Sequence, residues 1–206
     1  MQVIEKPQLE FWFEFGSNYS YLSVMRIEAA AREHQVDIVW KPFLLGPIFK
    51  ELGWESAPFV QQKEKGAYVW RDMERQAAKY GLPFRRPSTF PRVAVLPMRV
   101  AVHGAGEPWI GAFCREVMLQ NFFHDIDVNR EDNVRRALER AHADPDAVLA
   151  AATGEENKLR LRRQTEEARR RGIFGAPTFF AGDEMFWGND RLEDALEWAA
   201  GRRAHA

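Results

Sequence analysis

The 206 residues include 29 basic and 30 acidic side chains, and a net charge of −1 gives no overall attraction to nucleic acid or to an anionic membrane. With 46% hydrophobic residues, the chain can bury the core of one domain, with or without an insertion. Its single cysteine, Cys114, excludes an intrachain disulfide, and the sequence has no signal-peptide pattern and no apolar run of membrane length, so we expect a cytoplasmic protein.

The first elements in chain order are a strand, a helix and a second strand. Leu9 to Phe15 is rich in aromatic residues and predicts a strand buried on both faces. From Tyr19 to His34 apolar residues recur at helical spacing, with charged residues between them. Val36 to Lys41 alternates as a second strand, which Pro42 is expected to end. This order predicts a parallel βαβ unit.

The middle of the chain has helical patterns and no convincing strand. From Ile110 to Asn121 apolar residues repeat at a spacing of three and four positions, which predicts the buried face of a helix. Because Cys114 belongs to this face, we expect its thiol to be inert core. Asp144 followed by Pro145 predicts the capped start of another helix.

The end of the chain returns to strands. Thr178 to Ala181 and Glu184 to Trp187 predict two strands around a tight turn, and Asp190 to Gly201 predicts a closing helix. Strands at both ends with helices between them predict one α/β domain, at residues 1–56 and 172–206, interrupted by an all-helical insertion at 57–171. Such an insertion would cover the carboxyl ends of the strands, where α/β folds commonly form a substrate cleft.

Two serines mark the turn between the first strand and the first helix. Ser17 and Ser20 stand there, and Pro177 stands before a later strand, as in a thioredoxin-type site whose cysteines have become serines. Free N–H groups at the helix start favour an anion, so the site suits the thiolate of an external thiol such as glutathione. A Ser-x-x-Ser cannot carry out disulfide exchange. The alternative is that both serines only cap the helix.

A second part of the candidate site lies near the end of the chain. Ala176 can present its backbone to an extended peptide, and glutathione is a tripeptide. The alternative is that Pro177 simply starts a strand, and the sequence leaves the isomer of the Ala176-Pro177 bond open. Asn189 or Asp190 could bind the ends of a peptide or cap the last helix, with Glu193 completing a capping box. The five histidines show no metal-ligand spacing, so no zinc site is expected.

Four segments carry a family resemblance: Phe13 to Leu22, Lys41 to Gly46, Lys65 to Tyr68, and Phe174 to Arg191. On these segments the chain resembles the 2-hydroxychromene-2-carboxylate isomerases, which belong with kappa-class glutathione transferases and bacterial disulfide oxidases. The resemblance implies a thioredoxin-like fold interrupted by helices, and a dimeric enzyme with glutathione as its cofactor. In these isomerases glutathione adds to the conjugated chromene, the ring opens, rotation occurs about the former double bond, and glutathione leaves.

The resemblance also implies the roles of individual residues. Ser17 would be the catalytic residue that contacts the glutathione sulfur. Lys65 matches a lysine that contacts glutathione in kappa-class relatives. Ala176, before Pro177, would pair its backbone with the glutathione peptide. The γ-glutamyl end would be held by four residues, Trp187, Gly188, Asn189 and Asp190.

Several departures from the family pattern concern the pocket for the second substrate. Asn18 replaces a common proline, Trp54 stands where relatives often carry asparagine, and Val60 and Phe90 stand near positions that are polar in the naphthalene-pathway isomerase. The resemblance implies a glutathione-dependent cis–trans isomerase of 2-hydroxychromene-2-carboxylate or a similar small aromatic or conjugated acid, and two alternatives stay open. One is a kappa-like glutathione transferase. The other is a non-catalytic thioredoxin-fold protein that binds extended peptides.

Overall fold

Four strands form one mixed sheet in the order β2-β1-β3-β4. The structure is a computed structural model and describes residues 6–54 and 61–201. The strands are β1 Gln8–Phe13, β2 Asp37–Pro42, β3 Thr178–Ala181 and β4 Glu184–Trp187. β1 runs parallel to β2, whereas β3 is antiparallel to both β1 and β4. The two ends of the chain therefore share one sheet.

Helices make up most of the remaining structure. In chain order they are α1 Asn18–His34, α2 Leu45–Glu51, α3 Lys63–Lys79, α4 Val95–His103, α5 Ile110–Phe122, α6 Glu131–Arg140, α7 Pro145–Thr153, α8 Glu155–Arg170 and α9 Leu192–Ala199. α1 connects β1 to β2 and completes the βαβ unit. Between β2 and β3 the described residues form helices and no strand, so the predicted α/β class is confirmed. The predicted limit of the insertion at residues 56 and 57 lies outside the described residues.

β1 is buried on both faces because its side chains alternate between two apolar clusters. Leu9, Phe11 and Phe13 lie in the larger core, and Trp12 lies in a smaller cluster on the opposite face. The rings of Phe11 and Phe179 stack with centroids 5.4 Å apart, which joins β1 to β3. β1 ends at Phe13, two residues earlier than predicted, because the chain turns there toward α1.

Local sequence signals account for several helix and strand ends. Asp144 caps α7, and its carboxylate accepts hydrogen bonds from the N–H groups of Asp146 and Ala147. β2 ends at Pro42 as predicted, with the proline as its last residue, paired with Phe13.

Cys114 is fully buried on α5, and burial raises the pKa of its thiol.

Two leucines on α8 allow a test of how the helices pack. Leu161 is 3% exposed and Leu159 is 46% exposed. Leu161→Ala is expected to lower the free energy of unfolding by about 2–5 kcal/mol, because it leaves a cavity in the core. Leu159→Ala is the matched control and should cost less than about 1 kcal/mol. Urea denaturation measures both values, and equal losses would contradict the burial described here.

Candidate functional site

A cavity of about 520 Å³ opens beyond the end of β1, where α1 begins. Its wall is formed by the turn between β1 and α1, by parts of α2 and α3, and by the segments around two cis prolines, Pro91 and Pro177. Four of the eight predicted site residues line it, namely Ser17, Lys65, Ala176 and Trp187. The fold therefore gathers residues that are far apart in the chain.

Ser17 is both the N-cap of α1 and part of the cavity wall. Its Oγ accepts a hydrogen bond from the Ser20 N–H at 3.2 Å and donates one to the Ala176 carbonyl at 2.9 Å. Only 8% of Ser17 is exposed. The two interpretations of this serine are thus compatible, because capping uses an acceptor lone pair and leaves the hydroxyl proton for another partner.

Ser20 has a different environment, although it belongs to the same Ser-x-x-Ser motif. It is fully buried, and its Oγ has no hydrogen-bond partner among the described residues. It does not line the cavity. The two serines therefore differ in access to a ligand.

The segment before Pro177 presents main-chain groups to the cavity. The Ala176-Pro177 bond is cis, and the Ala176 N–H has no hydrogen-bond partner in the part of the chain that the structure describes. At Gly175 a Cβ atom would lie 2.5 Å from Trp187 Nε1, so only glycine permits the indole to approach this closely. The Trp187 ring packs on Phe174 with centroids 4.8 Å apart.

The other four predicted residues lie beside the cavity and are not in its wall. Asn189 is buried, and its Oδ1 accepts hydrogen bonds from Arg26 at 2.9 Å and from Ser23 at 3.3 Å. Gly188 has a φ of 113°, and its N–H donates to the Pro177 carbonyl at 3.0 Å. Asp190 is exposed. This turn therefore contacts the segment around Pro177 from outside the cavity wall.

The predicted closing helix begins later than expected. A 3-10 turn spans Asn189–Arg191, and α9 starts only at Leu192. The proposed capping box at Asp190 does not form, because the N-cap residue of α9 is Arg191, whose side chain makes no capping hydrogen bond. Glu193 instead pairs with Arg26 of α1 at 2.6 Å.

Among the described residues, Lys65 and Arg92 are the two cations in the wall of the cavity. Lys65 is exposed and forms no ion pair with any described residue. Arg92 is bound to the Asp125 carboxylate and donates to the Ile126 carbonyl at 2.8 Å. Lys65 is therefore the cation that is available to a ligand.

Glu14 lies in the same wall, and sequence reasoning missed it. It is half-buried, and the Leu45 N–H at the start of α2 donates a hydrogen bond to its carboxylate. Burial raises the pKa of Glu14 from 4.5 to about 7, and the Leu45 hydrogen bond opposes this rise only in part. The signal available in the sequence was an acid between Phe13 and Phe15, at the end of the aromatic run that precedes Ser17.

Asn18 is a second polar residue whose placement was not foreseen. It lines the cavity, is 2% exposed, and its Nδ2 has no hydrogen-bond partner among the described residues. The proline that the family resemblance leads us to expect has no comparable group.

Aromatic and aliphatic side chains complete the wall. They are Phe49, Trp54, Val69, Phe90, Val93 and Phe174. Trp54 packs on Phe49 with centroids 5.9 Å apart, and Phe90 meets Trp70 edge to face at 4.7 Å. Flat apolar groups fit such walls well. Val60, the remaining departure from the family pattern, lies outside the described residues.

Residues 6–54 and 61–201 contain no cluster of three or more side chains suited to hold a metal ion. None of their helices has the length and apolar character needed to cross a membrane.

The fold and the match of residues 8–197 to the DSBA-like thioredoxin domain show that the chain belongs to this family. It is similar to the 2-hydroxychromene-2-carboxylate isomerase of Sphingobium xenophagum, with 29% identity over 187 residues that cover 90% of this chain and 94% of the relative. A solved structure of a 2-hydroxychromene-2-carboxylate isomerase shares 28% identity, covers 95% of both chains and has a TM-score of 0.84. Glutathione s-transferase kappa 2 of Caenorhabditis elegans is 24% identical, and the matched region covers 93% of this chain and 91% of the relative. The predicted resemblance is confirmed.

Glu14 provides a test of the electrostatics of the site. Folding raises its pKa from 4.5 to about 7, so the folded state binds this proton more tightly and stability falls as the pH rises between these values. Glu14→Gln keeps an acceptor for the Leu45 N–H and removes the ionisation. The variant should match the wild type near pH 4 and exceed its free energy of unfolding by about 1–3 kcal/mol at pH 8. Urea denaturation across this range measures the difference, and a difference independent of pH would contradict the assignment.

Proposed function

We propose that the protein is a glutathione-dependent cis–trans isomerase of 2-hydroxychromene-2-carboxylate or a similar conjugated aromatic acid. The observation that carries this proposal is one cavity in which the Ser17 hydroxyl, the Ala176 main chain and the Lys65 ammonium meet an aromatic wall. The relatives named as isomerases support the reaction class, since they are similar over most of both chains. The kappa-class relative supports glutathione as the cofactor.

Ser17 would hold the glutathione sulfur as a thiolate. A thiol with a pKa of about 8.5 is mainly protonated at neutral pH, so the site must favour the ionised form. The Ser17 hydroxyl can turn from the Ala176 carbonyl to the sulfur, because a charged acceptor forms the stronger hydrogen bond. The first N–H groups of α1 and its dipole also favour an anion at this point.

The main chain at Ala176 suits the backbone of a tripeptide. The Ala176 N–H lacks a partner among the described residues, so an extended peptide could pair with it as an added strand, and the Ala176 carbonyl lies beside Ser17. Pro177, which follows in the cis form, positions this segment. Lys65 would bind a carboxylate of the ligand.

The γ-glutamyl end of glutathione is assigned to the turn that begins at Trp187. The Trp187 indole is 53% exposed and lines the cavity. The exposed Asp190 carboxylate, which pairs with Arg191 at 3.1 Å, would receive the ammonium group of the ligand. Gly188 and Asn189 would act by shaping this turn, because the Asn189 Oδ1 is already bound to Arg26.

When bound, glutathione supplies a nucleophilic thiol that adds to the conjugated substrate, permits rotation and is released unchanged. The chain would orient the flat substrate between aromatic side chains such as Trp54 and Phe90, and keep water away from the sulfur. We further propose that the enzyme is a homodimer and works in the cytoplasm. Sedimentation of the purified protein would test the dimer.

Ser17→Ala provides the first test. The loss of a hydrogen bond to a charged sulfur, about 1.5–3 kcal/mol, should raise the pKa of bound glutathione by about one to two pH units. Thiolate absorbance followed against pH in the complex measures this pKa. Ser20→Ala is the matched control, since Ser20 lies outside the cavity wall, and it should leave the pKa of the thiol unchanged. An unchanged thiol pKa and unchanged turnover in Ser17→Ala would remove Ser17 from the mechanism.

Net consumption of glutathione separates the isomerase from a kappa-like transferase. With 2-hydroxychromene-2-carboxylate as substrate, the free thiol concentration should stay constant while the substrate isomerises, because the cofactor is released after each turnover. Thiol titration and chromatography of the products measure both quantities. Stoichiometric loss of thiol with a glutathione adduct as product would establish the transferase instead.

The unpaired Ala176 N–H also favours a second candidate, a non-catalytic protein that binds extended peptides. Calorimetric titration with reduced glutathione distinguishes the two candidates. Saturable binding supports the enzyme, whereas no binding of glutathione together with binding of unrelated extended peptides supports the peptide-binding protein.

A further inference from the structure

Formation of a thiolate in the cavity requires a group that takes the thiol proton and gives it back when the thiol is released. The Ser17 hydroxyl is unsuited to this role, because an alcohol is a very weak base at neutral pH and this one already accepts from the Ser20 N–H. The proton must therefore pass either to another group of the cavity wall or to the solvent.

Glu14 shares the wall of the cavity with Ser17 and belongs to the same short turn between β1 and α1. Its carboxylate is held by the Leu45 N–H of α2. A Cβ atom at Gly16 would lie 3.8 Å from Glu14 Oε2 and 3.2 Å from the Arg92 carbonyl, so glycine at this position leaves the side of the carboxylate uncovered. The Glu14 carboxylate therefore stands in the cavity wall, beside the main chain that leads to Ser17.

No residue in the described part of the chain forms an ion pair with Glu14. The other titratable or charged groups of the wall are Tyr19, Lys65 and Arg92. The Tyr19 hydroxyl donates to Asp72 at 2.8 Å, and Arg92 is bound to Asp125. The charged residues of α2, Lys50 and Glu51, lie in its last turn. Neither wall cation forms an ion pair with Glu14, and its pKa of about 7 suits a group that both accepts and returns a proton near neutral pH.

We infer that Glu14 accepts the proton of the glutathione thiol and returns it when the thiol is released. This inference rests on the proposed function. The S–H bond breaks, its electron pair stays on the sulfur, and the proton binds a carboxylate oxygen of Glu14; release reverses the transfer. The total charge of the site is unchanged, and the neutral acid does not repel the thiolate, whereas an ionised carboxylate would.

Calorimetry in two buffers of different ionisation enthalpy tests this transfer. The wild type and Glu14→Gln are titrated with reduced glutathione at pH 8, and thiolate absorbance is measured on the same complexes. S-methylglutathione, which has no thiol proton, corrects for the other groups of the ligand. In the wild type, far less than one proton should reach the buffer for each thiolate formed, because the neighbouring thiolate raises the pKa of Glu14 above the pH of the titration. In Glu14→Gln the number of protons released to the buffer for each thiolate should approach one, because no carboxylate remains to hold the proton.

Turnover gives a second readout. Loss of a general acid–base group typically slows a reaction by about 10²–10⁴-fold, so Glu14→Gln should isomerise the substrate at least about 10²-fold more slowly than the wild type. Glu14→Asp keeps a carboxylate and should therefore recover part of the rate. In this variant the number of protons released for each thiolate should again be well below one. Thermal unfolding of both variants shows whether they are folded.

The outcomes separate this inference from the proposed function. If Ser17-dependent thiolate forms, but proton release and turnover are the same in Glu14→Gln as in the wild type, Glu14 only anchors α2 and the inference fails alone. If the wild type does not bind glutathione, the inference and the proposed function fail together.

Discussion

The hydrogen bond from Ser17 Oγ to the Ala176 carbonyl joins segments that are 159 residues apart, and the geometry of the cavity depends on it. Such a bond contributes only about 1 kcal/mol net to stability, so it does not hold the two segments together by itself. Antiparallel pairing of β1 with β3, and the stacked rings of Phe11 and Phe179, bring them close. The hydrogen bond then sets the position of the serine hydroxyl relative to the main chain of Ala176.

Burial acts on the cavity in two ways. It raises the pKa of Glu14, because a charged carboxylate loses solvation there. It also strengthens hydrogen bonds to an anion, because electrostatic interactions are less screened away from water. A thiolate near Ser17 would gain from the stronger hydrogen bonds. Glu14 in its protonated form carries no charge and therefore would not repel this thiolate. The exposed Lys65 adds a positive charge at the same cavity.

The features predicted correctly from the sequence are local or periodic. The βαβ unit, the closing hairpin and the Asp144 cap follow from side-chain alternation and from capping preferences that act over a few residues. The late start of α9 was missed because it depends on Arg26, which lies on α1 and engages both Asn189 and Glu193. Glu14 was missed for a similar reason, since its partner at Leu45 and its place in the cavity are set by packing between elements.

By itself, the sequence determined the class of fold and the buried faces of the strands and helices. It also determined the absence of a disulfide-exchange pair, because Ser17 and Ser20 occupy the positions of the two cysteines in a thioredoxin-type site. The tertiary structure decided which candidate residues meet. It placed Ser17, Lys65, Ala176 and Trp187 around one cavity and left Asn189 bound behind it. The physical reason is that periodicity records how each element is buried, whereas the meeting of distant segments depends on strand register and on the path of the intervening helices.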